Sequence, residues 1–100
     1  SMHRLSELLE RFQEHLDDER DQYDRRFERI DGGDVVYFLV PESHIEDVGA
    51  GMGLTGRETD AIRRSHRAQF KREGRRLGRL EEFEAALEIR DVVAVPAGGQ

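Results

Sequence analysis

The sequence predicts a small α+β domain, and three observations carry that prediction. Apolar residues recur at helical spacing through residues 5–30. The continuous apolar run Val35–Val40 is rich in β-branched residues and is closed by a proline, which is typical of a strand buried on both faces. Thr55 and Glu58 have the spacing of a capping box, which predicts the start of another helix.

The first pattern predicts one long helix over residues 4–30, ended by the Asp-Gly-Gly-Asp turn of residues 31–34. Its apolar positions form one stripe, and its other faces carry mostly charged residues. About 26 helical residues extend about 39 Å, more than two or three strands can cover. We therefore expect a homodimer with this stripe in the interface, formed by Leu5, Leu9, Phe12, Leu16, Tyr23 and Phe27.

The remaining elements are predicted from shorter signals. A short helix is expected at residues 42–50, and the helix that Thr55 caps runs to Gly74, or to Leu77 if the glycine is tolerated. Residues 80–89 fit either a helical extension or the first strand of a hairpin, and residues 91–95 fit a strand. The chain is expected to be one domain of 100 residues, with Ser1 and Met2 as a cloning remnant and start methionine. Residues 97–100 are expected to be a frayed tail.

Composition excludes several classes of protein. The chain has no cysteine, which excludes disulfides, thiolate chemistry and cysteine-ligated zinc. No apolar run has the roughly 20 residues that a membrane helix needs, so we expect a cytoplasmic protein. Acidic residues outnumber basic ones by 22 to 16, and arginine is used in place of lysine at every basic position except Lys71. This bias resembles the composition of haloarchaeal proteins and suggests a halophilic source; the alternative is a high-GC mesophile, which can have the same arginine bias.

Basic residues are concentrated in one segment of this acidic chain. Residues 57–79 hold nine basic and three acidic groups, a local charge of +6, whereas the whole chain carries −6 and the rest of it −12. Such segregation indicates a surface for an anion, and nucleic acid is the commonest polyanion. At 100° per residue, Thr59, Ile62, His66, Phe70 and Leu77 share one arc of the helix. Arg57, Arg64, Arg67, Lys71 and Arg75 share the opposite arc.

Residues 45–64 resemble a helix-turn-helix of DNA-binding proteins. The resemblance rests on Gly49 in the first helix, on Met52-Gly53-Leu54-Thr55 across the turn, and on Ile62 in the second helix. Gly49 is small, as the family pattern requires, but alanine is usual there, and valine or isoleucine is usual at Thr59. Both departures predict weaker packing between the two helices. A helix, a strand, two helices and then strands is also the order of a winged helix, so a winged-helix-like fold with a C-terminal strand or hairpin is expected.

The resemblance implies a DNA-binding protein, a dimeric regulator of transcription or an organiser of DNA, that reads DNA with the helix starting at Thr55. Arg57 and Arg64 would then contact bases, and phosphate would be contacted by Arg67, Lys71, Arg75 and Arg76. The expected nucleic-acid-binding residues are Arg57, Arg63, Arg64, Arg67, Lys71, Arg75 and Arg76. The alternative is a non-catalytic interaction module whose basic helix docks on an acidic partner or on its own acidic helix.

An enzymatic function is the hypothesis that the sequence supports least. A hydrolytic triad or a metal site needs several groups at defined positions, and the spacing of His15, His44 and His66 assembles neither. A small enzyme using His44 is the only catalytic reading left. We therefore expect no catalytic residues, metal, cofactor or small-molecule substrate.

Overall fold

Five helices and three strands follow one another between Met2 and Gly98, the part of the chain that this computed structural model describes. In chain order they are α1 (Met2–Asp18), α2 (Arg20–Arg26), β1 (Glu28–Asp31), β2 (Val35–Val40), α3 (His44–Gly51), α4 (Gly56–Leu77), α5 (Leu80–Ile89) and β3 (Asp91–Pro96). The predicted α+β class is confirmed. The expectations for Ser1, the Met2 side chain, Gly99 and Gln100 lie outside the described residues.

The three strands form one antiparallel sheet in the order β1-β2-β3. β1 and β2 form a hairpin whose turn contains Gly33 with a φ of 81°, a conformation that favours glycine. β2 pairs on both sides, since Tyr37 lies opposite Ile30 of β1 and opposite Ala94 of β3. The prediction that Val35–Val40 is a strand buried on both faces is confirmed.

Successive side chains of β2 and β3 point to opposite faces of the sheet and enter two separate apolar clusters. The first cluster joins the sheet to α1, α2, α3 and the first half of α4, through side chains that include Val36, Phe38, Val95, Phe12, Tyr23 and Ile62. The second joins the other face to α5 and the second half of α4, through Tyr37, Leu39, Val92, Phe70, Phe83 and Leu87. Because α4 contributes to both clusters, it is fixed along its length beside the sheet.

α4 covers the outer edge of β3. In an antiparallel strand the N–H groups of alternate residues point to the same side. The Ala94 N–H donates to His66 Nδ1 of α4 at 2.9 Å, and the Val92 N–H donates to Asp91 Oδ1 at 3.0 Å. Pro96, the next residue on this side, has no N–H. β3 therefore presents no unsatisfied N–H on its outer edge.

The single helix predicted over residues 4–30 is wrong in its second half. A turn at Glu19 separates α1 from α2, and α2 gives way to extended backbone at Phe27, with φ −128° and ψ 153°. Ile30 lies in β1 and packs against the second cluster, whereas Tyr23 belongs to the first. The seven-residue spacing between these two side chains is therefore coincidental.

The apolar stripe of α1 and α2 is used inside the chain. Of the six side chains expected in a dimer interface, three are buried in the first cluster and two pack against it; these are Phe12, Leu16 and Tyr23, then Leu9 and Phe27. Leu5 is half-buried. The expectation of an interface on this stripe rested on a helix too long for the domain to cover, and that premise is wrong.

α3 and α4 are in close contact where Gly49 faces Thr59. A Cβ built on Gly49 would lie 2.3 Å from Thr59 Oγ1, and both residues are buried. The expectation of weaker packing at these two positions is wrong, because the absent side chain of the glycine makes room for the threonine.

The capping box at the start of α4 is confirmed. The Thr55 N–H donates to Glu58 Oε1 at 2.9 Å, and the Glu58 N–H donates to Thr55 Oγ1 at 3.1 Å. α4 continues through Gly74 to Leu77 and is capped by Gly78, which has a left-handed φ of 69°. The helical alternative for residues 80–89 is confirmed as α5. The strands are distributed differently from a winged helix, since the hairpin precedes the α3–α4 pair and the single strand β3 follows it.

Candidate nucleic-acid interface

α4 separates a buried stripe from a charged one, as its sequence predicts. Thr59, Ile62, His66 and Phe70 are buried as expected, and Leu77 is not, being 38% exposed. Gly74 continues the buried stripe in its place, because the ring of Phe83 packs where a side chain would stand. The opposite arc of α4 is therefore free to carry charge at the surface.

Four cationic side chains of α4 line one open groove, together with Arg67 and Ala68. We call these four the basic strip: Arg64, Lys71 and Arg75, which the sequence predicted, and Arg72, which it did not. They span about 16 Å along the helix axis. The three arginines are exposed, and Lys71 is half-buried. The strip therefore presents a row of positive charge on one side of the molecule.

Arg63 and Arg67 were expected to contact nucleic acid, and in the structure both pair with a buried carboxylate. Asp91, whose side chain is only 3% exposed, accepts from Arg63 Nε at 2.7 Å and from Arg67 Nη1 at 3.4 Å. Arg67 also donates to the Leu87 carbonyl at 3.5 Å. A buried carboxylate needs such partners, because an isolated charge is costly to remove from water. These two arginines join α4 to β3, so we do not count them in the basic strip.

Other candidates have weaker or local partners. Arg76 donates to Glu73 through both Nε and Nη2, and these bonds lower the pKa of the Glu73 carboxyl. Arg64 Nε lies 3.4 Å from Asp60 Oδ2, but both side chains are largely exposed, so this pair contributes little. Arg57 is exposed one residue after the start of α4.

Carboxylates surround the first turns of α4. Glu46 of α3 and Asp60 of α4 lie 3.4 Å and 3.5 Å from the guanidinium of Arg63, and all three line the groove between the two helices. A helix-turn-helix protein inserts the start of its second helix into the major groove. Negative charge at that position would repel the phosphates on either side of the groove. The cations available for an anion therefore lie in the middle and second half of α4.

The acidic first helix does not neutralise the basic strip. In the described part of the chain, the carboxylates paired with residues 57–79 come from α3, α4, α5 and β3; they are Glu46, Asp60, Glu73, Glu82 and Asp91. The ion pair that joins α1 to α4 has the opposite polarity, from Arg4 Nη2 to Glu58 Oε2 at 3.0 Å. Among the described residues, no ion pair therefore joins a carboxylate of α1 to the strip.

His44 lies in a polar contact that sequence reasoning missed. It begins α3, and its Nε2 lies 2.5 Å from the hydroxyl of Tyr23, while the rings of both residues pack against Phe27. Burial raises the pKa of Tyr23 to about 12, and burial lowers the pKa of His44. Both groups are therefore neutral at pH 7 and form a hydrogen bond within an aromatic cluster. No local signal predicts this contact, because the two residues are 21 positions apart on different helices.

Within the described residues, no group of three His, Asp or Glu side chains could hold a metal ion, and no helix is long and apolar enough to cross a membrane.

Comparisons with known proteins identify the family of the chain. Neither the curated proteins nor the solved structures contain a match. The model of one family, described as Domain of unknown function (DUF8048), matches residues 1–97. Since this match covers nearly the whole chain, the protein belongs to the DUF8048 family.

Proposed function

We propose that this protein binds double-stranded DNA by laying the basic strip of α4 along the phosphate backbone. The observation that carries the proposal is the groove lined by Lys71, Arg72 and Arg75. Among the described residues, these three take part in none of the ion pairs that occupy the neighbouring arginines. Cations held in a row on a rigid helix fit an anion that repeats along its length.

The chemistry of the strip favours phosphate over base edges. The guanidinium fork of arginine binds phosphate oxygens in pairs, and lysine binds phosphate as a point charge. Base reading by the start of α4, which the helix-turn-helix resemblance implies, is opposed by Glu46 and Asp60 at that end of the helix. The proposed role is therefore organisation of DNA, or regulation with modest sequence preference. The proposed location of this function is the cytoplasm.

A pair of matched arginines tests the proposal. Arg75 and Arg25 are both exposed and both lie in the last turn of a helix, but only Arg75 belongs to the basic strip. Arg75→Glu and Arg25→Glu change the net charge equally. Fluorescence anisotropy with a labelled duplex at low salt should show about tenfold weaker binding for Arg75→Glu, and a change of less than about threefold for Arg25→Glu. Equal losses would show that net charge, and not the strip, determines the affinity.

An acidic protein surface is the second candidate, and one observation favours it. Outside residues 57–79 the chain carries −12, which repels any part of a long duplex that extends beyond the strip. Polyglutamate used as a competitor distinguishes the two candidates. If polyglutamate displaces the duplex at equal charge concentration, and binds with the same sensitivity to Arg75→Glu, the interaction module replaces the DNA-binding proposal.

A further inference from the structure

We infer that the open edge of β1 pairs with β1 of a second copy of this chain, joining two three-stranded sheets across a two-fold axis. The inference does not rest on DNA binding. It differs from the dimer expected from the sequence, because the interface is a strand edge and not the stripe of α1.

The two edge strands of the sheet differ in whether another element covers them. The outer edge of β3 is covered by α4, with Val92 and Ala94 donating to side chains of the same molecule. β1 forms the opposite edge, and within residues 2–98 its strand partner is β2 alone. An unpaired edge presents backbone donors and acceptors that can accept another strand. The structure thus leaves one edge available for pairing.

Hydrogen bonding within the hairpin shows which groups lie on that edge. The Gly32 N–H donates to the Val35 carbonyl at 2.8 Å, so this pair is hydrogen-bonded across the hairpin. Bonded and non-bonded pairs alternate in an antiparallel ladder. Ile30 therefore points its N–H and C=O toward β2, whereas Arg29 and Asp31 point theirs away from the sheet.

Only the register centred on Ile30 satisfies both the backbone hydrogen bonding and the pairing of opposite charges. A two-fold axis at Ile30 places Arg29 of each copy opposite Asp31 of the other, with about four backbone hydrogen bonds between them. Directly opposed side chains lie on the same face of the sheet, so the two opposite charges also meet. Shifting the axis to Arg29 or Asp31 preserves the backbone alternation but places like charges opposite each other. The charge pattern of β1 therefore selects the register centred on Ile30.

Side chains around this axis are available for the contact. Asp31 is 73% exposed and Arg29 is 43% exposed, although Arg29 already pairs with Asp31 and Asp24 of its own chain at 2.8 and 2.9 Å. On the other face, Ile30 lines a groove with Ile89, which is 69% exposed and is the most exposed large apolar side chain among the described residues. A two-fold axis at Ile30 brings the grooves of two copies side by side and removes apolar surface from water.

Charge reversal tests the register through light scattering at high protein concentration. The wild-type chain should have about twice its monomer mass of 11.6 kDa. Arg29→Glu and Asp31→Arg should each be monomeric, because each places like charges opposite each other. Mixing these two variants should restore a dimer, because the glutamate introduced into one chain would then face the arginine introduced into the other. Arg25→Glu, with the same change of charge away from the edge, should remain dimeric.

A backbone variant tests the strand pairing itself. Asp31→Pro removes an N–H that points away from β2, so the hairpin should persist while pairing with a second copy is lost. Circular dichroism checks that the variants are folded. A wild-type chain that stays monomeric would overturn the inference. So would a dimer that survives both Arg29→Glu and Asp31→Pro, or two folded monomeric charge variants that do not associate when mixed.

Discussion

At the scale of single residues, Asp91 pairs with Arg63 and Arg67, which the sequence alone presents as available to an external ligand. The sequence shows a basic helix with regular spacing, but it cannot show that a carboxylate 28 residues away occupies Arg63. Burial of Asp91 depends on β3 packing beside α4, which is a tertiary contact with no local signature. The sequence therefore did not show that Arg63 and Arg67 pair with this carboxylate. Helical periodicity did predict Arg64, Lys71 and Arg75 of the basic strip, but not Arg72.

Replacing Asp91 tests this internal role. Asp91→Asn keeps an oxygen for the Val92 N–H but removes the charge that balances Arg63 and Arg67. We expect urea denaturation to show a loss of roughly 3 kcal/mol in the free energy of unfolding, because a partly buried guanidinium loses its partner. Asp60→Asn is the control, since Asp60 pairs with Arg63 and Arg64 while 52% exposed, and it should cost less than about 1 kcal/mol. Similar losses for both variants would contradict the structural role of Asp91.

His66 predicts a dependence of stability on pH. Burial lowers its pKa from 6.5 to about 4, although the charge of Asp91 partly opposes the shift. Between these two values the unfolded chain binds a proton that the folded chain does not, so stability is fully present above pH 6.5 and falls as the pH falls toward 4. The loss from this residue should be about 3 kcal/mol.

His66→Gln provides the comparison, because the glutamine oxygen can accept the Ala94 N–H without titrating. Urea denaturation near pH 7 and near pH 4 should show a smaller loss for this variant than for the wild type. The same loss in both proteins would mean that other groups cause the acid sensitivity.

At the scale of elements, the boundaries that have a local sequence signal were predicted well. Boundaries that depend on pairing with another part of the chain were not. The capping box and the run Val35–Val40 carry their own boundaries, and both are confirmed. The division of residues 4–30 into α1, α2 and β1 has no strong breaker in the sequence. Pairing of Ile30 with Tyr37, seven residues further along the chain, overrides the helical spacing there.

The contact between α3 and α4 predicts opposite effects for two glycines of the same helix. Gly49→Ala places a methyl group against Thr59 Oγ1 and should cost about 1–3 kcal/mol, because one of the helices must shift. Gly51→Ala, where a Cβ meets nothing within 4 Å, should be neutral or slightly stabilising. Thermal denaturation of the two variants measures the difference. Equal melting temperatures would mean that the two helices are not closely packed at Gly49.

At the scale of the whole molecule, the segregation of charge could be predicted from the sequence, but which of the cations lie at the surface could not. The net charges of residues 57–79 and of the remainder follow from composition. Which cations lie inside and which lie outside follows from the placement of α4 along the edge of β3, which fixes one arc of the helix and exposes the other. The same placement covers one edge of the sheet and leaves β1 as the other edge.

The salt dependence of duplex binding tests the basic strip most directly. Each phosphate contact contributes about 0.9 to the slope of log affinity against log salt concentration. We predict that the double variant Arg72→Ala/Arg75→Ala unfolds at the wild-type temperature and binds duplex with a slope shallower by roughly 1.8. A wild-type protein that does not bind duplex at low salt, or a double variant with an unchanged slope, would contradict the assignment of these residues to a phosphate-binding surface.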